Sequence, residues 1–150
     1  MAFSDEELAY LRSQRLARLA TVAPDGQPDV VPVGFEFDGT HIYVGGMDPV
    51  KTRKYRNVEA GNTKVALVID DLVSVDPWSP RYLRVYGTAE LVDRPGRFGH
   101  APYMRITPTI SWSWNLDGLA SATTARSSRV APSITPSSAY PRTVNDRSST

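Results

Sequence analysis

Hydrophobic positions along the first 118 residues follow two different periods, and the change of period divides the chain into elements. Near the start, Leu8 and Leu11 form a modest apolar face behind Ser4 and Glu7, which have capping-box spacing, so residues 5 to 14 are expected to be a short helix. From Leu16 the pattern alternates. Leu16 to Val22, Pro24-Asp25-Gly26, Asp29 to Phe37, Asp38-Gly39 and Thr40 to Val44 spell strand, turn, strand, turn, strand. In the second of these strands Val31, Val33, Phe35 and Phe37 share one side, and Pro32, Gly34 and Glu36 the other. Pro32 cannot donate to a ladder, which argues for an edge, a bulge or a ligand-facing position.

Further strands are expected from Lys64 to Ile69, stopping at Asp70-Asp71, from Arg81 to Leu91, and from Thr107 to Leu116. A turn-rich stretch from Arg94 to Gly99 separates the last two. Gly87 in mid-strand suggests a bend or close packing. Six strands joined by short connections exclude a parallel sheet, which needs crossover helices, and indicate a mainly β fold, a small antiparallel barrel with short helices.

Between the third and fourth strands lies Gly45-Gly46-Met47-Asp48-Pro49-Val50-Lys51-Thr52-Arg53-Lys54-Tyr55-Arg56-Asn57. It reads as a glycine turn opening a helix, with Asp48 as N-cap and Pro49 at the first helical position. Lys51, Arg53, Lys54 and Arg56 then crowd the end of a helix that is already positive, an arrangement that a bound phosphate would relieve. Gly45 and Gly46 would admit a ligand close to the backbone, and Thr52 adds a hydroxyl. A solvated basic face is the competing reading. Neither the spacing of a nucleotide triphosphatase loop nor that of a dinucleotide fold is present.

Composition narrows the choice of chemistry. At 150 residues the chain has the size of one domain, here residues 1 to 118, and a net charge of +1 gives no electrostatic case for a nucleic-acid partner. With no cysteine there can be no thiol catalysis and no disulfide, which fits a cytoplasmic protein. The N-terminus has no signal-peptide pattern, and no apolar run is long enough to span a membrane. His41 and His100 stand apart from any triad, and Asp70, Asp71 and Asp76 lack regular metal-ligand spacing and suit a solvated loop, so no metal site is expected. Trp112 and Trp114, two apart on one strand face with Ile110 and Leu116, could wall a planar substrate or fill a core. No residue set supplies a nucleophile or a tuned acid pair. An enzyme built this way would leave the reactive chemistry to a bound cofactor, and the product proton to solvent.

From residue 119 the chain changes character: eight serines, five threonines and five alanines, with four arginines against the single acid Asp146. Too little apolar surface is available there to offset ordering entropy, so residues 119 to 150 are expected to be a disordered tail.

Four groups of residues carry a family resemblance: Leu19-Ala20-Thr21-Val22 with Asp25-Gly26 and Pro28; Val31-Pro32-Val33 with Asp38-Gly39; Thr52-Arg53-Lys54 with Arg56-Asn57; and Arg84 to Glu90. Together they resemble the split-barrel flavin and deazaflavin oxidoreductases, the superfamily that includes pyridoxamine 5'-phosphate oxidase. The resemblance implies a split β-barrel of the FMN-binding type. It also implies that Thr52, Arg53 and Lys54, with Lys51, grip the cofactor phosphate, that Pro32 and Val33 line the cofactor ring near Gly45 and Gly46, and that two copies form an intertwined homodimer. The run Lys51 to Asn57 and the stretches Val73 to Trp78 and Ile110 to Asn115 look most like the branch that uses the deazaflavin coenzyme F420, and within it the reductases of tetracycline-type polyketides. That branch implies hydride transfer to an electron-poor carbon–carbon double bond of a small molecule, with Trp112 and Trp114 on the substrate side. An FMN-dependent oxidase of the pyridoxamine phosphate type, and a flavin- or haem-type binding protein without turnover, are the alternatives. The tail departs from the family, whose members continue past the last strand with an ordered segment.

Overall fold

A computed structural model describes residues 1–96, 99–117 and 119. The tail beyond, and the boundary placed at Gly118, lie outside the described residues, Leu119 excepted; Leu119 packs against the core.

Helix α1 (Asp5–Ser13) starts at the expected cap: the Ser4 hydroxyl accepts from the Glu7 amide while the Glu7 carboxylate accepts from the Ser4 amide. Seven strands follow: β1 (Leu16–Val22), β2 (Pro28–Gly34), β3 (Glu36–Phe37), β4 (Ile42–Val44), β5 (Lys64–Ser74), β6 (Ser79–Gly96) and β7 (Gly99–Trp114). A 3-10 turn (Pro49–Lys51) and helix α2 (Arg53–Glu59) lie between β4 and β5. All paired strands are antiparallel, in the order β2-β1-β5-β6-β7-β4-β3.

The two edges of this sheet are covalent neighbours. β2 lies at one edge and β3 at the other, yet only Phe35 separates them in sequence. Gly34 and Glu36 are two residues apart and can be separated by at most about 7 Å, so the sheet must curl until its edges approach. Closure comes from the chain and not from a β2–β3 ladder, leaving a split at Gly34-Phe35-Glu36. The expected single strand from Asp29 to Phe37 is thereby corrected to two, giving seven strands instead of six. Its physical cause is the length of β1: Leu16, paired with Gly34, ends β1, so the chain beyond must find its partner at the far edge. Pro32 does sit on an edge strand, the position in a sheet that tolerates proline.

Two other boundaries move for a similar reason. β5 runs past Asp70-Asp71 because each acid meets an arginine on a neighbouring strand, Arg18 on β1 and Arg81 on β6. Nor do these acids form part of a loop cluster. β6 and β7 extend through the stretch expected to be turn-rich, pairing as far as Gly96 with Gly99. Gly87 marks a register shift against β7, and a Cβ there would come within 2.7 Å of Ile106 and 2.8 Å of the Thr107 carbonyl.

Inward-facing side chains fill the barrel: Ala17 and Leu19, Val65, Leu67 and Ile69, Leu83, Val85 and Ala89, Met104 and Ile106, closed by Tyr10 and Leu11 of α1. Burying each large aliphatic side chain contributes about 1.5–3 kcal/mol. The outward face is also apolar in part, with Leu16, Val30, Tyr82, Tyr86, Ile110, Trp112 and Trp114 all exposed. Among the described residues no helix is long and apolar enough to cross a membrane.

Candidate functional site

The basic segment folds differently from its expected helix. Asp48 has φ 45° and makes no side-chain cap, and Pro49 opens a 3-10 turn. α2 proper begins at Arg53, capped by Thr52, whose hydroxyl accepts from the Tyr55 amide at 3.4 Å and donates to the Pro49 carbonyl at 2.6 Å. The glycine turn, Asp48 and Pro49 are followed by a break at Thr52 because its extended backbone (ψ 149°) cannot continue a helix. A helix of seven residues has a weak dipole, so side chains and not the helix end supply most of the positive field here.

Three of those side chains, like Arg12, Arg15, Lys64 and Arg84 elsewhere, meet no carboxylate among the described residues. Arg18, Arg81, Arg94 and Arg105 each hold a carboxylate, whereas Arg53, Lys54 and Arg56 have no acidic partner among the described residues. Lys51 meets only Asp48, at 3.5 Å on an exposed surface. α2 itself is anchored from below. Buried Asn57 donates to the Thr21 hydroxyl of β1 at 3.0 Å, and Val58 joins the core.

Gly45 and Gly46 lie apart from that cluster in role. They line a cavity of about 540 Å³ at the split of the barrel, with Gly34, Phe35 and Glu36 on one side and Tyr43 and Tyr103 on the other. At Gly45 a Cβ would lie 2.6 Å from the Tyr103 ring, so packing inside the protein already requires that glycine. Gly46, at φ 140°, has nothing within 4 Å and leaves its backbone open to the cavity. A phosphate-bearing ring cofactor fits this donor set: free cations at one place, and an open glycine backbone beside a cavity at the other.

Of the remaining expected site residues, Pro32 is exposed on the edge strand, while the Val33 side chain is buried in the core, so only its backbone can face a ligand. Trp112 and Trp114 face outward and do not line the cavity at the split. Trp112 packs edge-on against Tyr86 at 4.9 Å, under the Arg84 guanidinium at 4.2 Å. Leu116 parts from them: the chain turns at Asn115, φ 58°, and Leu116 enters the core.

Arg15, Phe35, Glu36, Tyr43 and Tyr103 went unread as site residues. The signal available was weak: Phe35 falls where strand alternation gives it a core position, and Tyr103 lies between the expected turn-rich stretch and the strand expected from Thr107. No group of three or more His, Asp or Glu comes together to hold a metal ion among the described residues.

Residues 3–139 match the model of a family described as pyridoxamine 5'-phosphate oxidase. The chain belongs to that family, and its curled antiparallel sheet is the family's split barrel. Among its relatives is the 5a,11a-dehydrotetracycline/5a,11a-dehydrooxytetracycline reductase of Streptomyces rimosus subsp. rimosus, 40% identical over 126 residues, covering 79% of this chain and 87% of the reductase. A solved structure named F420 reductase is similar at 29% identity and a TM-score of 0.53, covering 65% of this chain and 89% of its own. A FAD-binding protein of Mesorhizobium loti shares the fold, at 22% identity and a TM-score of 0.56, over 74% of this chain and 91% of its own.

Proposed function

We propose that this protein is an F420-dependent reductase that saturates an electron-poor carbon–carbon double bond of a small molecule of the tetracycline-type polyketide class. The observation that carries the reading is the trio Arg53, Lys54 and Arg56, without carboxylate partners among the described residues, on a segment held in place by the Thr52 cap and the Asn57–Thr21 bond. Its likeness to a dehydrotetracycline reductase and to an F420 reductase supports the same choice. Bound in reduced form, F420 supplies a hydride. The chain's own part is to hold and orient: Arg53, Lys54, Lys51 and Thr52 at the phosphate, the Pro32-Val33 backbone and Gly45-Gly46 toward the ring.

A homodimer is part of this reading. Val30, Leu16, Tyr82, Tyr86, Ile110, Trp112 and Trp114 expose a broad apolar surface on the outer face of one curled sheet, the kind of patch that a second copy covers. Trp112 and Trp114 would reach a substrate only if that second copy brings its own cavity against them. The reading places the protein in the cytoplasm.

Titrating the purified protein with F420 and with FMN, following quenching of each cofactor's fluorescence, tests the reading. F420 is expected to bind the more tightly. Preference for FMN would favour the oxidase chemistry of the wider family instead, and binding of neither would return the basic segment to a solvated face. Sedimentation at micromolar concentration should show a species of twice 16.5 kDa.

A further inference from the structure

Tyr43 and Tyr103 line the cavity at the split, and neither ring is left to choose its own rotamer. Tyr103 of β7 stands beside Gly45 of β4, where a Cβ would lie 2.6 Å from its ring. A Cβ at Gly96 of β6 would lie 2.5 Å from its hydroxyl. Two missing side chains on two strands therefore give this ring its place. Arg94 of β6 adds a third restraint: its guanidinium lies 3.9 Å from the Tyr43 ring centre and 5.0 Å from that of Tyr103, and its Nη1 donates to Glu36 of β3 at 2.8 Å.

The strand order shows what this side chain spans. Along β6-β7-β4-β3, Arg94, Tyr103, Tyr43 and Glu36 come one from each strand, so Arg94 reaches the edge strand across both tyrosines. Stability alone is a poor reason for it. The Glu36 side chain is about half exposed, and an ion pair with an exposed partner contributes little to folding. Arg94 is also absent from the cavity lining, so its effect on a ligand there must pass through the two rings. Aromatic side chains fixed in advance spare a planar ligand the entropy of ordering them.

We infer that Arg94 is a positioning residue for the ring of the bound cofactor, holding Tyr43 and Tyr103 in place from outside the cavity. The inference rests on the cofactor reading above for the occupant of the cavity. It adds a determinant of the ring's seat that is separate from the grip of Arg53 and Lys54 on the phosphate.

F420 and its phosphate-free ring riboside can each be titrated into the full chain, with fluorescence quenching giving affinity and the anisotropy of the remaining emission giving the mobility of the bound ring. R94A is expected to weaken both ligands by a common factor of about ten, the cost of ordering freed aromatic side chains on binding, and to lower the anisotropy. R94K keeps a cation over the rings and should recover most of the loss, whereas R94M keeps bulk without charge and should not. R53A should weaken F420 far more than the riboside. G96A leaves every charge in place and should weaken both ligands by displacing Tyr103, which keeps the test open if R94A does not fold. Wild-type affinity and anisotropy for the riboside in folded R94A or in G96A overturn the role of Arg94. So does a loss confined to F420, or a rescue by R94M equal to that by R94K. If R53A weakens F420 while R94A does not, the cofactor reading stands and this inference fails. If FMN and riboflavin bind instead, and R94A weakens both, the choice of F420 fails and the role of Arg94 stands.

Discussion

Two corners of this molecule carry clustered charge and treat it in opposite ways. At the first, where α1 meets the β5–β6 pair, everything is partnered. Arg81 forms a double hydrogen bond to Asp71, at 2.7 and 2.9 Å, the Tyr10 hydroxyl donates to the same carboxylate at 2.7 Å, and the guanidinium lies 5.1 Å from the Tyr10 ring centre. Burial, before the neighbouring Asp71 carboxylate, pushes the Tyr10 phenol far above its usual range, and Arg81 holds Asp71 below the ordinary carboxylate value. At the second corner Arg53, Lys54 and Arg56 carry three positive charges with no acid to meet them among the described residues. Charge satisfied inside the fold serves the fold. Charge left unsatisfied on an anchored segment is available to a ligand, and the contrast makes the two corners separable by experiment.

The largest effect should come from the free corner. Replacing Arg53 and Lys54 together by alanine is expected to weaken cofactor binding by about 3–6 kcal/mol, two charged hydrogen bonds, with thermal stability changed by less than about 0.5 kcal/mol. An equal loss of stability and affinity would erase the distinction. At the partnered corner, D71A should cost about 2–3 kcal/mol of stability, because it strands Arg81 and the Tyr10 hydroxyl, and leave cofactor affinity per folded molecule untouched. Denaturant unfolding beside fluorescence titration reads both.

Acid should reveal the same corner. Asp71 has a lowered pKa in the folded state, so its stabilisation is complete above the unfolded value near 4 and fades as pH falls through the folded value below it. Asp38, lowered to about 2 by the His41 and then the Thr40 amides, acts in the same direction. D71N should therefore flatten part of the loss of stability as pH falls below about 4; a wild-type acid limb would contradict the role given to Asp71. T52A, removing the cap of α2, is expected to cost about 1 kcal/mol, and to loosen the cofactor modestly by freeing the basic segment. Smallest of all, D70N at the exposed Arg18–Asp70 pair should change stability by about 0–1 kcal/mol, since both side chains are more than 40% exposed.

Local pattern alone determined a good deal of this protein. The Ser4/Glu7 cap, the alternation of β1 and β6 and the turn glycines were legible because each depends on near neighbours in the chain, whereas the helix expected from Asp48 starts only after Thr52. The motifs also carried the family, and with it the expectation of a cofactor at Thr52, Arg53 and Lys54. What the chain's linear order does not display is who stands opposite whom. Asp70 and Asp71 looked like loop residues until Arg18 and Arg81 met them across strands. Asp29 to Phe37 looked like one strand until the short β1 ran out of partners and sent β3 to the far edge.

The cavity at the split belongs wholly to the second kind. Arg15, Glu36, Tyr43, Arg94 and Tyr103 are separated by up to 88 positions in sequence, from 15 to 103, and come together only because the sheet curls until β2 and β3 are joined by one residue. Sequence decides which residues can form strands, since alternation is a local property with a period of two. Only the closed sheet decides which of their side chains share a space, because long-range register is set by the packing of the whole barrel.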